Sequence, residues 1–309
     1  MPGTGTGTGG AVRRLLVLLA TCCAGCTSFQ FTQQDVFLTH DAAADVLELA
    51  IVYHGVHARR GEGDALEAAA RSVRRIASGE RYVLLFGWPF ELDIETARAE
   101  PASEPLGPCE QRAWDLLAAL EVAQAGFFAG ADERLGVWQR VRLPRAGELV
   151  ALVNEWIALG MAEPAAGFAR GDPRSPSPSP VLDDASRRRC LEWVRDGTPW
   201  ILLRDGGLEV RCPMSPAAAA RWLASIVSEA AERPDEAQPF RALLESLTEI
   251  ELEGGVLALF FGPRAGGGVL LRIPRADWEW APGIEALLRR DGGLEGRVPE
   301  LPAQLVLGD

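Results

Sequence analysis

An α+β fold with a mainly antiparallel sheet is the class this sequence predicts, and three observations carry it. Apolar runs of strand length come in pairs around turn residues, as hairpins do. Helix-like patterns alternate with those pairs. Three strand-like runs end on one motif, aliphatic-Arg-x-Pro, at Arg142, Arg211 and Arg272.

In chain order, DVFLTH and VLELAIVYHGV flank Asp41 to Asp45 and read as a hairpin, followed by a helix over 63–78. The run 82–94 adds a strand or hairpin. A helical pattern over 110–124 leads to GFFAGADERLGVWQRV, two apolar runs around a Gly/Asp turn. A helix over 183–195 leads to PWILLRDGGLEV, where Asp205-Gly206-Gly207 is a strong turn signal. A helix over 239–248 leads to VLALFFGPRAGGGVL, with a looser glycine-rich turn. After each Arg-x-Pro comes another helix-like segment. The unit therefore reads helix, hairpin, Arg-x-Pro, helix, with its arginines 69 and 61 residues apart, which suggests an internal repeat. Residues 34–78 look like a fourth, degenerate copy. Helices are expected to cover one face of the sheet.

The proline of the motif cannot donate to a ladder, so it ends the strand and suits a turn into a helix. The arginine two positions earlier shares its face. Arg142, Arg211 and Arg272 read either as three cations gathered on one sheet edge to bind an anion, or as strand-end salt bridges to a carboxylate of the next helix. The bridge is the simpler reading.

EPAAGFARGDPRSPSPSPV over 163–181 reads as a Pro/Ser-rich linker. With a shorter loop over 96–108, it divides the chain into lobes of 26–162 and 182–309, behind a leader of residues 1–25.

The 309 residues are 48% hydrophobic, enough for a sizeable core, and carry a formal net charge of -12. All 31 basic residues are arginine. An acidic chain without a basic, aromatic-rich face argues against nucleic acid as a partner. The segment 1–14 has two arginines and no acid, Leu15 to Leu19 are apolar, and small or thiol residues follow. That is the pattern of a secretory signal. Its apolar core of roughly ten residues is half the ~20 a membrane span needs. Gly5, Gly7 and Gly10 spell G-x-G-x-x-G, but no strand precedes and no phosphate-cradling helix follows.

Cys23-Ala24-Gly25-Cys26 resembles the lipobox of bacterial lipoproteins. Cys23 stands where that class usually has leucine, and Leu19-Ala20-Thr21-Cys22 is a competing register. The resemblance covers residues 13–26. It implies cleavage before Cys26, lipid attachment to Cys26, and an address in the cell envelope. A non-acidic Thr27 after the modified cysteine implies outer-membrane sorting, facing the periplasm. The tether to a first strand near Gln34 is then about eight residues, at most ~28 Å. A metal cluster on Cys22, Cys23 and Cys26 lacks a second ligand pair. In an oxidising compartment Cys190 with Cys212 is the best disulfide pair, against three buried free thiols with Cys109 included.

The chemistry-bearing residues are sparse. His40, His54 and His57 do not converge on a strand, where residues three apart point to opposite faces. No metal and no cofactor is expected. Cys109 follows Pro108 at a helix start, where the dipole lowers a thiol's pKa, and is the best single nucleophile. G-x-S-x-G and H-E-x-x-H are both missing from the sequence. Asp183-Asp184 and Glu249/Glu251/Glu253 are carboxylate sets of low specificity. Trp278 and Trp280 could form a sugar-stacking platform if extended, or pack at a helix entry. Trp114, Trp156, Trp193 and Trp222 lie in helical patterns and read as core anchors. The expected function is a lipid-anchored envelope protein with a non-catalytic role in binding or assembly, its partner an envelope protein or glycan. The alternative is an envelope hydrolase acting on a cell-wall or polysaccharide substrate.

Overall fold

A computed structural model describes residues 29–59, 64–85, 88–91, 107–130, 133–169, 182–204, 207–232, 245–262, 269–274, 280–281 and 283–302. The fold is mixed α+β, and its named strands pair antiparallel.

The main sheet has five strands. Strands β2 (Gln33–Asp41) and β3 (Val46–His54) form the expected hairpin. The Asp41 carboxylate closes its turn by accepting the N–H groups of Ala43 and Ala44, each at 3.0 Å. Strand β8 (Leu135–Pro144) pairs with β3, and β7 (Glu121–Ala129) pairs with β8. The fifth strand, β13 (Val269–Pro274), lies beside β2. The order is β13-β2-β3-β8-β7.

Alternation sorts this sheet into two apolar faces. One carries Val36, Ile51, Tyr53, Leu135, Val137 and Val141. Helix α1 (Ala65–Ala77) seals it with Ala69, Ala70, Val73 and Ile76, and α6 (Ile284–Arg290) adds Ile284, Leu287 and Leu288. Phe29 of β1 (Phe29–Gln30) and Ala58 of β4 (His57–Arg59) complete that cluster. The opposite face buries Phe37, Ala50, Val52, Phe128 and Trp138, with Leu301 packed against them. Each buried large side chain contributes roughly 1.5–3 kcal/mol. Gly136 is required on this face, because a Cβ there would meet the Phe128 ring at 2.2 Å.

A second sheet has the order β11-β12-β10-β9. It comprises β9 (Ile201–Arg204), β10 (Gly207–Cys212), β11 (Glu249–Glu253) and β12 (Val256–Phe261). Helix α5 (Pro216–Glu232) covers one of its faces with Ala219 and Trp222, over Leu257, Leu259 and Phe261. Leu38 and Leu271 of the five-stranded sheet join that cluster. Helices α2 (Pro108–Ala118), α3 (Ala146–Ala169) and α4 (Asp184–Asp196) pack in sequence, α2 on α3 and α3 on α4. A small hairpin, β5 (Tyr82–Leu85) with β6 (Trp88–Glu91), and β14 (Trp280–Ala281) beside β4 complete the strands.

Several expectations need correction. The helix expected over 110–124 ends at Ala118, and residues from Glu121 are already strand. The stretch VLALFFGPRAGGGVL is not a hairpin: β12 pairs with β10 and β11, while β13 pairs with β2. The repeated unit is therefore not reproduced in its third instance. Strand pairing also crosses the expected lobe boundary, since β13, β14 and α6 all pack with the N-terminal elements. Helix α3 runs to Ala169, into the stretch read as linker. The helix-forming residues Met161, Ala162, Glu163, Ala165 and Ala166 around Pro164 favour that continuation. Residues 170–181 and 239–244 lie outside the described residues, as do 1–25 and Cys26. The first strand begins at Phe29, not near Gln34.

Candidate functional site

The most elaborate polar centre sits on the five-stranded sheet, beside Phe37 and Phe128. Register places Arg272 of β13 directly opposite Asp35 of β2, and His54 of β3 directly opposite Gln33. Residues 33 and 35 share a face, so all four side chains meet there. Asp35 is 4% exposed. Its Oδ1 accepts from Arg272 Nε at 3.1 Å and from Gln33 Nε2 at 2.9 Å. Its Oδ2 lies 3.4 Å from Arg272 Nη2 and 3.1 Å from His54 Nε2. Burial pushes this carboxyl up, but the hydrogen bonds and charges of His54 and Arg272 outweigh it and hold it below the usual carboxylate range. The His54 ring stands edge-on to Phe128, with centroids 5.3 Å apart. The arrangement fixes an imidazole by a carboxylate, and the same carboxylate is neutralised by an arginine.

A second polar centre joins two helices. Asp183 caps α4: its Oδ1 accepts the Ser186 N–H at 2.9 Å and the Ser186 hydroxyl at 2.7 Å. Its Oδ2 accepts the hydroxyl of Ser215, which itself caps α5 by accepting the Ala218 N–H at 3.1 Å. The hydrogen bonds from Ser215 and Ser186 hold the Asp183 carboxyl far below its ordinary value. Asp183 is thus a structural cap.

The second sheet presents a charged face. Arg204 Nε lies 2.8 Å from Glu209, and Arg211 Nε lies 3.7 Å from the same carboxylate. Arg204, Glu209, Glu249, Glu251, Ala258 and Phe260 line a cleft of about 190 Å3. Another, of about 210 Å3, is lined by residues including Ser186, Arg189 and Ser215. Both fall below the ~300–1,000 Å3 typical of small-molecule sites.

The three motif arginines are not gathered on one edge. Arg142 and Arg272 belong to the five-stranded sheet, on β8 and β13, and Arg211 to the other. Each faces a carboxylate: Arg142 Nε is 3.8 Å from Glu48, Arg211 Nε 3.7 Å from Glu209, and Arg272 Nε 3.1 Å from Asp35. These partners come from the same or the neighbouring strand, not from the next helix. Arg211 also lies over the Trp193 ring, 5.1 Å from its centroid.

Cys190 and Cys212 stand as free thiols. Cys190 is buried with Trp193 and Trp200. Burial, with Cys212 nearby, pushes the Cys190 thiol up to about 11. Cys109 is not activated by its helix start: burial and the Glu155 carboxylate raise its pKa, against the Arg112 and Trp156 hydrogen bonds. His57 Nδ1 lies 2.9 Å from the Gly55 carbonyl, and the bend at Gly55, with φ of +54°, turns it away from His54. Among the described residues no group of three His, Cys, Asp or Glu side chains is placed to hold a metal, and no helix is long and apolar enough to cross a membrane. Trp156, Trp193 and Trp222 pack in apolar clusters. Trp114 is half-buried. Trp278 and the Trp280 side chain lie outside the described residues.

Sequence reasoning missed Asp35 and Asn154. An acid between two glutamines and an apolar run was the available signal for Asp35, but its partner Arg272 is 237 residues away. Asn154 of α3 gave no signal. Its Oδ1 accepts the N–H groups of Trp200 and Ile201 at 2.7 and 2.8 Å, and its Nδ2 donates to the Ile201 carbonyl at 2.8 Å. Comparison of the chain with protein-family models, curated proteins and solved structures finds no match.

Proposed function

We propose that this protein is a lipid-anchored component of the cell envelope that acts by binding or assembly, not by catalysis. The address rests on the lipobox-like Cys23-Ala24-Gly25-Cys26. With β1 starting at Phe29, a lipid on Cys26 would hold the folded body within ~10 Å of its attachment point. The partner is an envelope protein or glycan, and the favoured site is the periplasmic face of an outer membrane.

One observation carries the non-catalytic reading. The described carboxylates with displaced pKa values, Asp35, Asp183 and Asp196, all stand below the ordinary range. General acid catalysis needs a carboxyl held up, in a cleft deep enough to exclude water. Here hydrogen bonds and cations already satisfy Asp35 and Asp183, and the clefts are small.

The test is the intact mass and membrane partition of the wild type beside Cys26→Ala. The expected wild type begins at a lipidated Cys26 and fractionates with membrane, while the variant does not. A soluble, unlipidated wild type, or acylation at Cys22, overturns the address.

The second reading, an envelope hydrolase acting on a cell-wall or polysaccharide substrate, has the Asp35–His54 pair on its side. A carboxylate that orients an imidazole is a component of hydrolytic sites. Release of soluble fragments from purified cell-wall material, abolished by His54→Ala, would establish it.

A further inference from the structure

The four-stranded sheet has two edges, and they are finished differently. The β9 edge is closed at its start by the Asn154 side chain, which takes up the N–H groups of Trp200 and Ile201 and the Ile201 carbonyl. The β11 edge has β12 on one side and, among the described residues, no strand on the other. All five residues of β11, Glu249 to Glu253, are exposed. Ile250 and Leu252 are 47% and 43% exposed, the two large apolar side chains that stand out of the described surface. Their face of the strand continues the apolar layer of Leu257 and Leu259. On the opposite face Glu249, Glu251 and Glu253 follow one another at every second position. No ion pair among the described residues engages any of the three.

The strand is also held ready. Its hairpin with β12 closes through Gly254 and Gly255, both at positive φ (57° and 77°), the two-residue turn that matches strand twist. The Arg189 guanidinium of α4 donates to the Gly254 carbonyl and fastens the turn to the helix layer. An extended, pre-ordered strand with one row of backbone groups unpaired is a template for strand addition.

The charge pattern selects the occupant. A second copy of β11, paired antiparallel about Glu251, would set glutamate against glutamate at each position of one face, which is unfavourable. A strand carrying Arg or Lys at alternate positions would set a cation against each glutamate. Aliphatic residues between them would cover Ile250 and Leu252. We infer that β11 is a strand-addition site for an extended segment of a partner protein that alternates basic and aliphatic residues. This deepens the binding reading above and rests on it.

The test uses the full chain and two fluorescently labelled peptides of identical composition. One alternates arginine and valine; the other carries the same residues in two blocks. Anisotropy is expected to show saturable binding of the alternating peptide, with the block peptide at least about tenfold weaker. Glu249→Arg/Glu251→Arg/Glu253→Arg is expected to lose the basic peptide and to gain one alternating glutamate and valine. If the triple variant fails to fold by circular dichroism, Glu251→Arg alone should weaken the basic peptide measurably. Equal binding of both peptides would reduce the effect to whole-chain charge and overturn the proposal. So would unchanged binding by the reversed chain, no binding at all, or concentration-dependent self-association abolished by the reversal. Cys26→Ala, carried in parallel, is expected to bind the peptide as the wild type does. A failed anchor and a failed strand site are therefore told apart.

Discussion

The two main sheets bury their strands to different degrees. The five-stranded sheet is apolar on both faces, with Ile51, Val52 and Tyr53 in succession fully buried. Its buried carboxylate, Asp35, is neutralised by Arg272 and His54. Its β7 edge carries a bulge between Val122 and Gln124, and the Ala129 N–H donates to the Pro299 carbonyl at 2.8 Å. The four-stranded sheet is apolar on one face only, its other face holds glutamates and arginines, and its β11 edge has no further strand among the described residues. Asp35 and Glu48 of the first sheet are thus paired with arginines, whereas Glu249, Glu251 and Glu253 of the second have no ion-pair partner among the described residues.

The largest effect should come from breaking the buried centre. Asp35→Ala leaves Arg272 and His54 without their shared carboxylate and is expected to cost about 3 kcal/mol, read from urea unfolding. The triple arginine reversal of β11 should move the same curve by less than about 0.5 kcal/mol. Equal losses would mean that the glutamates of β11 hold the fold as Asp35 does.

Next comes the closed edge of the second sheet. Asn154→Ala removes the acceptor of two part-buried N–H groups and is expected to cost about 2 kcal/mol. It also leaves the start of the β9 edge unpaired, so light scattering should detect increased self-association. An unchanged monomer with unchanged stability would mean that α3 does not finish this edge.

Acid should separate the sheets as well. Asp35 is lowered in the folded state from its ordinary 3.8. Its contribution is therefore complete above that value and is lost as pH falls below it toward the folded pKa. Wild type should lose stability relative to Asp35→Ala through that window, and the two should converge at its acid end. A constant difference between them across the titration would show that Asp35 acts through packing alone.

Much of this fold was legible because its signals are local. The turn at Asp41 to Asp45 and the β9–β10 hairpin follow from turn residues between apolar runs. Helices α1 and α4 follow from their helical patterns. What escaped is long-range. Nothing near β13 says that it pairs with β2, and its glycine-rich approach imitates a hairpin with β12. Asp45 looks like an ordinary turn residue, yet its carboxylate accepts the Gly147 N–H at 2.8 Å, 102 residues on, and starts α3. The motif arginines were legible as salt-bridge positions. The partners of Arg142 and Arg272 were not, because strand register chooses them, and Glu209 is the same-strand neighbour of Arg211. The β11 edge was visible only as a triplet of glutamates with low specificity, since exposure of Ile250 and Leu252 belongs to the tertiary structure.

The smallest stability effect is expected where the binding effect is most specific. Ile250→Thr and Leu252→Thr remove apolar surface that is already half in water, and β-branched threonine suits a strand. Each should shift unfolding by no more than about 0.5 kcal/mol. An added strand would bury those side chains, so their loss should weaken the alternating basic peptide without restoring binding of the block peptide. Charge reversal tests the glutamate face, and these substitutions test the opposite one. Strand addition is the one mode in which both faces of the same five residues must matter, because the partner's alternate side chains fall on both. A response from the glutamates alone would describe an electrostatic surface, not a paired edge.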